Sequence, residues 1–298
     1  MEKNKRFLKY FRNPRLVLFK LDNLRIIPLS DKKYISLMYY NSFKKKINLN
    51  KPQTFNEKLN YLKLYDRKDL YTKMADKYEM KKLVKDIIGE KYVVKTYGIY
   101  DKFEDINFEI LPKSFVIKTT HDSGGYVICK DKNNINIKDV KKRINKSLRK
   151  NYFYGLREWP YKNIKPRIMI EELLNDNKND LLNDYKFWTF NGKPEFVYIT
   201  IKSNQIFENF YDINFKQVDI NHGFHRHKPE FKCPEIFNEM RTIASKLAKY
   251  FNCPFLRIDM FYVNGNIYVN EFTFYDWGGN KPFISYEIDK KLGDMIII

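Results

Sequence analysis

Phe255-Leu-Arg-Ile-Asp-Met-Phe-Tyr-Val263 and Ile267-Tyr-Val-Asn-Glu-Phe272, joined through Asn264-Gly265, form the stretch on which the fold turns. Two apolar runs rich in β-branched and aromatic residues meet at an Asn-Gly pair, which marks a hairpin. Arg257 and Asp259 share one face of the first strand, and Glu271 and Thr273 share one face of the second. Carboxylates inside apolar strands are costly unless paired or metal-bound. Asp259 and Glu271 on neighbouring strands suit Mg²⁺ that also holds phosphate oxygens. The alternative is an Arg257–Glu271 cross-strand pair with Asp259 exposed. Parity decides whether the acids can meet. A plain two-residue turn puts Asp259 opposite Asn270 and turns Glu271 away. A three-residue loop, Val263-Asn-Gly265, or a bulge of equivalent parity sets Asp259 against Val269 and Arg257 against Glu271, all on one side. The loop or bulge is therefore expected.

Outward from the hairpin, Pro234 to Phe251 reads as a helix. Ile236, Phe237, Met240, Ile243, Ala244, Leu247 and Ala248 follow a 3.6-residue period. A second β-rich block is expected from Arg167–Glu171 through Tyr185–Phe190, the turn Asn191-Gly192, and Phe196–Ile201. Upstream, Asp76 reads as an N-cap, Met80, Leu83, Val84 and Ile87 as a helix face, and Gly89 as its stop. Short strands are expected at Tyr92–Lys95, Phe115–Thr119 and Tyr126–Cys129, and a helix over 137–150. Residues 1–50 are basic and weakly patterned. The fold class is α+β with two lobes.

The chain has 298 residues, enough for one large or two coupled domains. Its three cysteines, Cys129, Cys233 and Cys253, form no CxxC, which argues against a disulfide framework or zinc site and suits a reducing cytoplasm. The N-terminus lacks a signal-peptide core, and no apolar run approaches the roughly 18–20 residues of a membrane span. The net charge of +20 comes mainly from lysine in an Asn-, Ile-, Tyr- and Phe-rich chain. No helix-turn-helix, zinc-finger or RNP signature accompanies it, so nucleic acid is not expected as a partner. The densest basic and aromatic stretch, Arg6 to Lys46, suits peripheral contact with an anionic membrane or glycan.

Phe115-Val-Ile-Lys-Thr-Thr-His-Asp-Ser-Gly-Gly125 places Lys118 near the end of an apolar strand, before a loop of small residues. Such a loop lets backbone N–H groups approach a polyphosphate. A Gly-Gly hairpin with a surface lysine is the plainer alternative. Lys77 opens a helix, where the dipole disfavours a cation unless a phosphate sits nearby. Ile168-Met-Ile-Glu-Glu-Leu-Leu174 runs an apolar strand into two acids and could leave backbone groups for an adenine edge. Asp184 and Lys186 share a strand face, suited to ribose and phosphate respectively.

Taken in order, these segments resemble the ATP-grasp superfamily, and its TupA-like branch of teichuronopeptide and capsular-polysaccharide amidoligases. The resemblance also rests on Thr54-Phe-Asn-Glu-Lys-Leu59, Leu64-Tyr-Asp-Arg67, Leu70-Tyr-Thr-Lys-Met-Ala-Asp-Lys77, Arg157-Glu-Trp-Pro-Tyr161, Asp184-Tyr-Lys-Phe187 and Glu271-Phe-Thr273. It covers roughly residues 35–295, and the ordered set is more specific than any single motif. It implies two α/β lobes with mostly antiparallel sheets clamping ATP. Residues 1–50 would precede or pack on the core, 51–165 would form the N-terminal and small lobe, and 166–298 the C-terminal lobe with the Mg²⁺ site. Lys77 and Lys118 match phosphate-contacting lysines. His121, Asp122, Ser123, Gly124 and Gly125 match the loop over the phosphates. Glu171, Glu172 and Leu174 match the adenine segment, and Asp184 the ribose acid. Arg257, Asp259 and Glu271 match an Arg-x-Asp and Glu pattern. Thr273 stands where relatives carry Asn, and its hydroxyl is a candidate Mg²⁺ ligand.

The implied activity is ATP-dependent ligation of a carboxylate to an amine through an acyl phosphate. The implied substrates are a surface-polysaccharide uronic acid and an amino acid or amino alcohol, met in the cytoplasm or at the inner face of the membrane. Arg257, Lys118 and Lys77 would be catalytic, and Arg157, Trp159 and Tyr161 would grip the sugar. A capsule glycosyltransferase is the rival, weakened by the lack of an Asp-x-Asp triplet. A P-loop kinase lacks its GxxxxGK[ST]. His222-Gly-Phe-His-Arg-His227 has irregular spacing for a metal and reads as a mobile substrate loop.

Overall fold

The structure, a computed structural model, describes residues 15–175, 183–202, 206–228 and 230–298. Helices α1 (Arg15–Asn23), α2 (Asp31–Phe43), α3 (Phe55–Tyr65), α4 (Asp69–Ala75) and α5 (Lys77–Ile88) come first. Strands β1 (Thr96–Tyr100), β2 (Phe115–Thr119) and β3 (Tyr126–Cys129) follow, then helices α6 (Ile137–Leu148) and α7 (Phe153–Leu156) and strand β4 (Ile168–Glu172). The last part holds β5 (Asp184–Phe190), β6 (Lys193–Lys202), β7 (Ile206–Asp212), α8 (Phe237–Phe251), β8 (Phe255–Val263), β9 (Asn266–Thr273) and α9 (Tyr286–Asp294). Residues 1–14 of the basic segment lie outside the described residues.

The strands make two antiparallel sheets, ordered β1-β4-β2-β3 and β7-β6-β5-β8-β9. Strand β4 pairs with β1 and β2, so it belongs to the first sheet and does not open the second block as its sequence position suggests. The chain passes from one core at Ile164 to the other at Ile168, and is back in the first by Tyr185. Helices α3, α4 and α5, with Tyr161 and Ile164, share one large core with β5 to β9 and α8. The first sheet has its own core with α6, built from Phe115, Ile117, Val140, Ile144, Ile168 and Ile170. The strand expected at Tyr92–Lys95 lies later, at Thr96–Tyr100, because Glu90–Tyr92 closes a 3-10 turn.

The second sheet has two unlike faces. Phe187, Val197, Ile258 and Phe272 face each other across strands and lie buried in the large core, with Phe187 stacked on Phe237 of α8. The alternate residues carry Lys186, Asp259 and Glu271 on the opposite face. Part of that face is covered by α3, whose Phe55 stacks on Trp188 with ring centroids 5.1 Å apart. Thr54 and Glu57 close a capping box at the start of α3. Asn56 and Asn60 then tie α3 to Asp289 and to the Gly279 carbonyl. The Thr54–Leu59 motif is therefore a stitch between distant parts of the chain.

Candidate active site

The final hairpin uses the bulge rather than the longer loop. Val263 opposes Asn266 across Asn264-Gly265, both with positive φ, as a two-residue turn requires. Met260 then opposes Val269 and Asp259 opposes Glu271, so Asn270 is the extra residue. Arg257 faces Thr273. The acids share a face as expected, with Asp259 set against Glu271 and not Val269. One line of directly opposed residues crosses the sheet: Phe210, Tyr198, Lys186, Asp259, Glu271.

Arg257 grips both oxygens of Asp259 at 2.7 Å and reaches Asp276 Oδ1 at 2.5 Å and the Tyr198 hydroxyl at 3.2 Å. Burial works against the Arg257 charge, but Asp259, Tyr198 and Asp276 outweigh it and hold the guanidinium protonated. Lys186 donates to Asp184, whose carboxyl burial pushes up despite that lysine. Asp184 Oδ1, Thr273 Oγ1 and Asp276 Oδ2 are buried without hydrogen-bond partners. The described residues form no cluster of three or more metal-ligating His, Cys, Asp or Glu. Mg²⁺ commonly keeps waters and uses one or two carboxylates plus substrate phosphates. Asp259 and Glu271 side by side, with the unpartnered Thr273 hydroxyl two residues on, fit an ion of that kind.

Across from this hairpin a cavity of about 590 Å³ opens against the first sheet. Lys77, Lys118, Ser123, Gly124 and Gly125 line it, as do Glu171, Glu172, Leu174 and Glu271. Lys77 is the first residue of α5, and its Nζ donates to the Asp122 carbonyl. Burial pushes its ammonium below the ordinary lysine range, against the pull of Glu271 and Asp122. Gly124 has φ +89°, and a Cβ on Gly125 would run into Thr119, Asp122 and Ser147. The two glycines are needed for different reasons, backbone conformation and space.

Several expected contacts take other roles. His121 and Asp122 are buried and do not line the cavity. Asp122 accepts from Thr119 and Ser147, and His121 Nε2 donates to the Ser147 and Lys150 carbonyls at 3.2 and 3.1 Å. They pin the root of the glycine loop to α6. Glu171 carries Lys118 on one oxygen and Lys81 on the other, the latter at 2.6 Å. Burial alone would raise its carboxyl, but the two lysines hold it below the usual range. Arg157 is only 2 % exposed and binds Asp22 at 2.6 Å and Asp31 at 3.1 Å, with its guanidinium over the Tyr34 ring. It is a structural fastener, so the expectation that it grips a sugar is corrected. Tyr161 is buried against Tyr152, and Trp159 lies under Arg67. His222 is also fixed: Nδ1 meets Glu208 at 2.9 Å and the ring stacks on Phe283. That anchoring replaces the mobile loop expected for 222–227.

Sequence reasoning missed Lys81, Tyr198, Asp276 and the buried pair Glu158 and Lys63. Burial pushes Glu158 up and Lys63 down, each partly opposed by the other. Glu158 follows Arg157 in a motif already singled out, which was the available signal.

Two antiparallel sheets thus bring lysines and a glycine loop to one cavity with Glu271 of the carboxylate hairpin. The profile of the family described as TupA-like ATPgrasp matches residues 57–297, and the chain belongs to that family. No curated protein matches it in sequence. Among solved structures it is similar to the ATP-grasp ligase PsnB complexed with minimal precursor (12% identity, TM-score 0.43). That match covers 76% of this chain and 60% of the PsnB chain. D-alanine–D-alanine ligase from Bacillus anthracis aligns at 19% identity and TM-score 0.43, covering 75% and 66% of the two chains. The Helicobacter pylori enzyme aligns at 15% and 0.41, covering 82% and 69%.

Proposed function

We propose that this chain is an ADP-forming carboxylate–amine ligase. The observation that carries the reading is the cavity bounded by Lys77, Lys118 and the glycine loop on one side and by Glu271 of the carboxylate hairpin on the other. The substrate carboxylate attacks the γ-phosphate of ATP, releasing ADP and leaving an acyl phosphate. An amine then attacks the acyl carbon, and phosphate departs. The protein's part is positioning and charge neutralisation. Lys77 and Lys118 hold phosphate oxygens, and the backbone of Ser123 to Gly125 covers them. Glu172 and Leu174 frame the adenine, with Asp184 and Lys186 at the ribose and phosphate. Arg257 neutralises charge building on the acyl phosphate. Asp259 and Glu271, with Thr273, would hold Mg²⁺, which supplies further neutralisation of the phosphates when bound.

A uronic acid of a surface polysaccharide is the proposed carboxylate, with an amino acid or amino alcohol as the amine, in the cytoplasm. The family resemblance supports this choice. ADP release measured against glucuronic and galacturonic acids, with and without amines, tests it. Turnover that requires both partners, with hydroxylamine trapping a hydroxamate, is expected. Absence of ATP binding by calorimetry at millimolar nucleotide and Mg²⁺ would overturn the ligase reading.

A further inference from the structure

From Val17 to Ile27 the chain exposes an uncommon amount of aliphatic surface. Leu24, Ile26 and Ile27 are 59%, 63% and 44% exposed, and Val17 and Leu18 join them from α1. Contiguous apolar patches on a protein surface mark interaction sites. This one is held in a defined shape. The Leu24 amide donates to the Lys20 carbonyl at 3.0 Å, and the Ile26 amide to the Leu21 carbonyl at 2.9 Å. Leu29 N donates to Asp22 Oδ1 at 2.7 Å, while the other Asp22 oxygen takes Arg157. The buried Arg157–Asp22 pair therefore braces the turn from behind.

The exposed charged residues between positions 17 and 33 are all basic. Lys20, Arg25, Lys32 and Lys33 are exposed. The two acids of the same stretch point their charge inward: Asp22 to Arg157, and Asp31 to Arg67 and Arg157. The sequence just upstream adds Lys3, Lys5, Arg6, Lys9 and Arg12. Aliphatic tips ringed by cations supply the two signals that peripheral membrane anchoring requires, insertion below the headgroups and attraction to their phosphates.

We propose that the Leu24–Ile27 turn, with Val17 and Leu18, docks this protein on an anionic lipid surface, the aliphatic tips entering the interface and the surrounding lysines and arginines meeting lipid phosphates. The surface lies in α1 and the turn after it, so this docking is independent of the ligase chemistry. No helix among the described residues is long and apolar enough to cross a membrane, and the attachment is to one leaflet.

Sedimentation of the full chain with phosphatidylglycerol vesicles, compared with phosphatidylcholine vesicles, tests it. The chain is expected to pellet with phosphatidylglycerol, to be released by high salt, and to stay in solution with phosphatidylcholine. Leu24→Ser/Ile26→Ser/Ile27→Ser should weaken lipid binding by about ten-fold or more while keeping the circular dichroism spectrum. Lys32→Glu/Lys33→Glu, which leaves the apolar tips intact, should also weaken it and serves if the triple variant misfolds. Failure of the wild-type chain to pellet, or equal pelleting by the variants, overturns the proposal. A lipid-free dimer that the triple variant abolishes would assign the patch to a second copy and also overturn it.

Discussion

Asp259 stands directly opposite Glu271, yet only Asp259 is held by an arginine, with both its oxygens on Arg257. Glu271 makes no side-chain hydrogen bond among the described residues. The two acids should therefore respond differently to neutralisation. Asp259→Asn is expected to lower stability by about 3 kcal/mol, because it strips a buried arginine of its main partner. Glu271→Gln should leave the stability of the ligand-free protein nearly unchanged. The wild type is expected to gain melting temperature with Mg²⁺ and ATP, and both variants should lose that gain. Thermal denaturation with and without nucleotide separates these effects.

Lys118 and Lys81 share Glu171 but differ in access, since Lys118 lines the cavity and Lys81 is buried beside the Val94 carbonyl at 2.8 Å. Lys118→Ala should weaken ATP binding at least about ten-fold, a charge-assisted phosphate contact being worth roughly 1.5–3 kcal/mol. Its fold should survive because Lys81 still neutralises Glu171. Lys81→Met should instead cost stability, by about 3 kcal/mol, as the buried pair is broken. Calorimetric ATP titration beside urea unfolding distinguishes the two outcomes.

Arg157→Ala should act on folding and not on catalysis. It leaves Asp22 buried without its partner, a loss of about 3–5 kcal/mol. Arg157→Lys should recover little, because one ammonium cannot bridge Asp22 and Asp31 as the planar guanidinium does. Melting temperatures of the two variants, and KM for any carboxylate substrate in the surviving folded fraction, check this.

Glu158 gives a pH dependence of unusual sign for a carboxylate. Burial raises its folded value above the ordinary carboxylate range, with Lys63 opposing that shift. The folded protein then binds more protons than the unfolded chain between those two values. Stability falls as pH rises through that window. Glu158→Gln removes this loss, so the variant should gain on the wild type as pH climbs from acid towards neutrality. Urea midpoints across that range measure the difference. A constant gap between the two proteins would contradict it.

The hairpin and the glycine loop were legible because their signals are local: strand alternation, an Asn-Gly turn, and parity that demanded an irregularity on one strand. Which residue would bulge was not, since Asn270 leaves the ladder through sheet geometry. Strand β4 carries only an apolar run, and such a run names no sheet. Arg157 looked available because its partners lie far back in sequence, Asp22 being 135 residues away. The Glu171 side chain showed no partner in the sequence for the same reason, with Lys81 90 residues upstream. His222 was read as mobile from loop spacing, while Glu208 and Phe283 fix it from other elements. Long-range pairing of polar groups, more than secondary structure, is what the sequence left unsaid.

The Lys77 ammonium already rests on the Asp122 carbonyl. An ammonium carries three N–H donors, so an incoming anion at Lys77 joins the Asp122 carbonyl rather than replacing it. The carbonyl holds the ammonium in place before a phosphate arrives, so less side-chain freedom is left to lose on binding. Substitutions that pull the Asp122 carbonyl back should weaken nucleotide binding without removing a single contact to it.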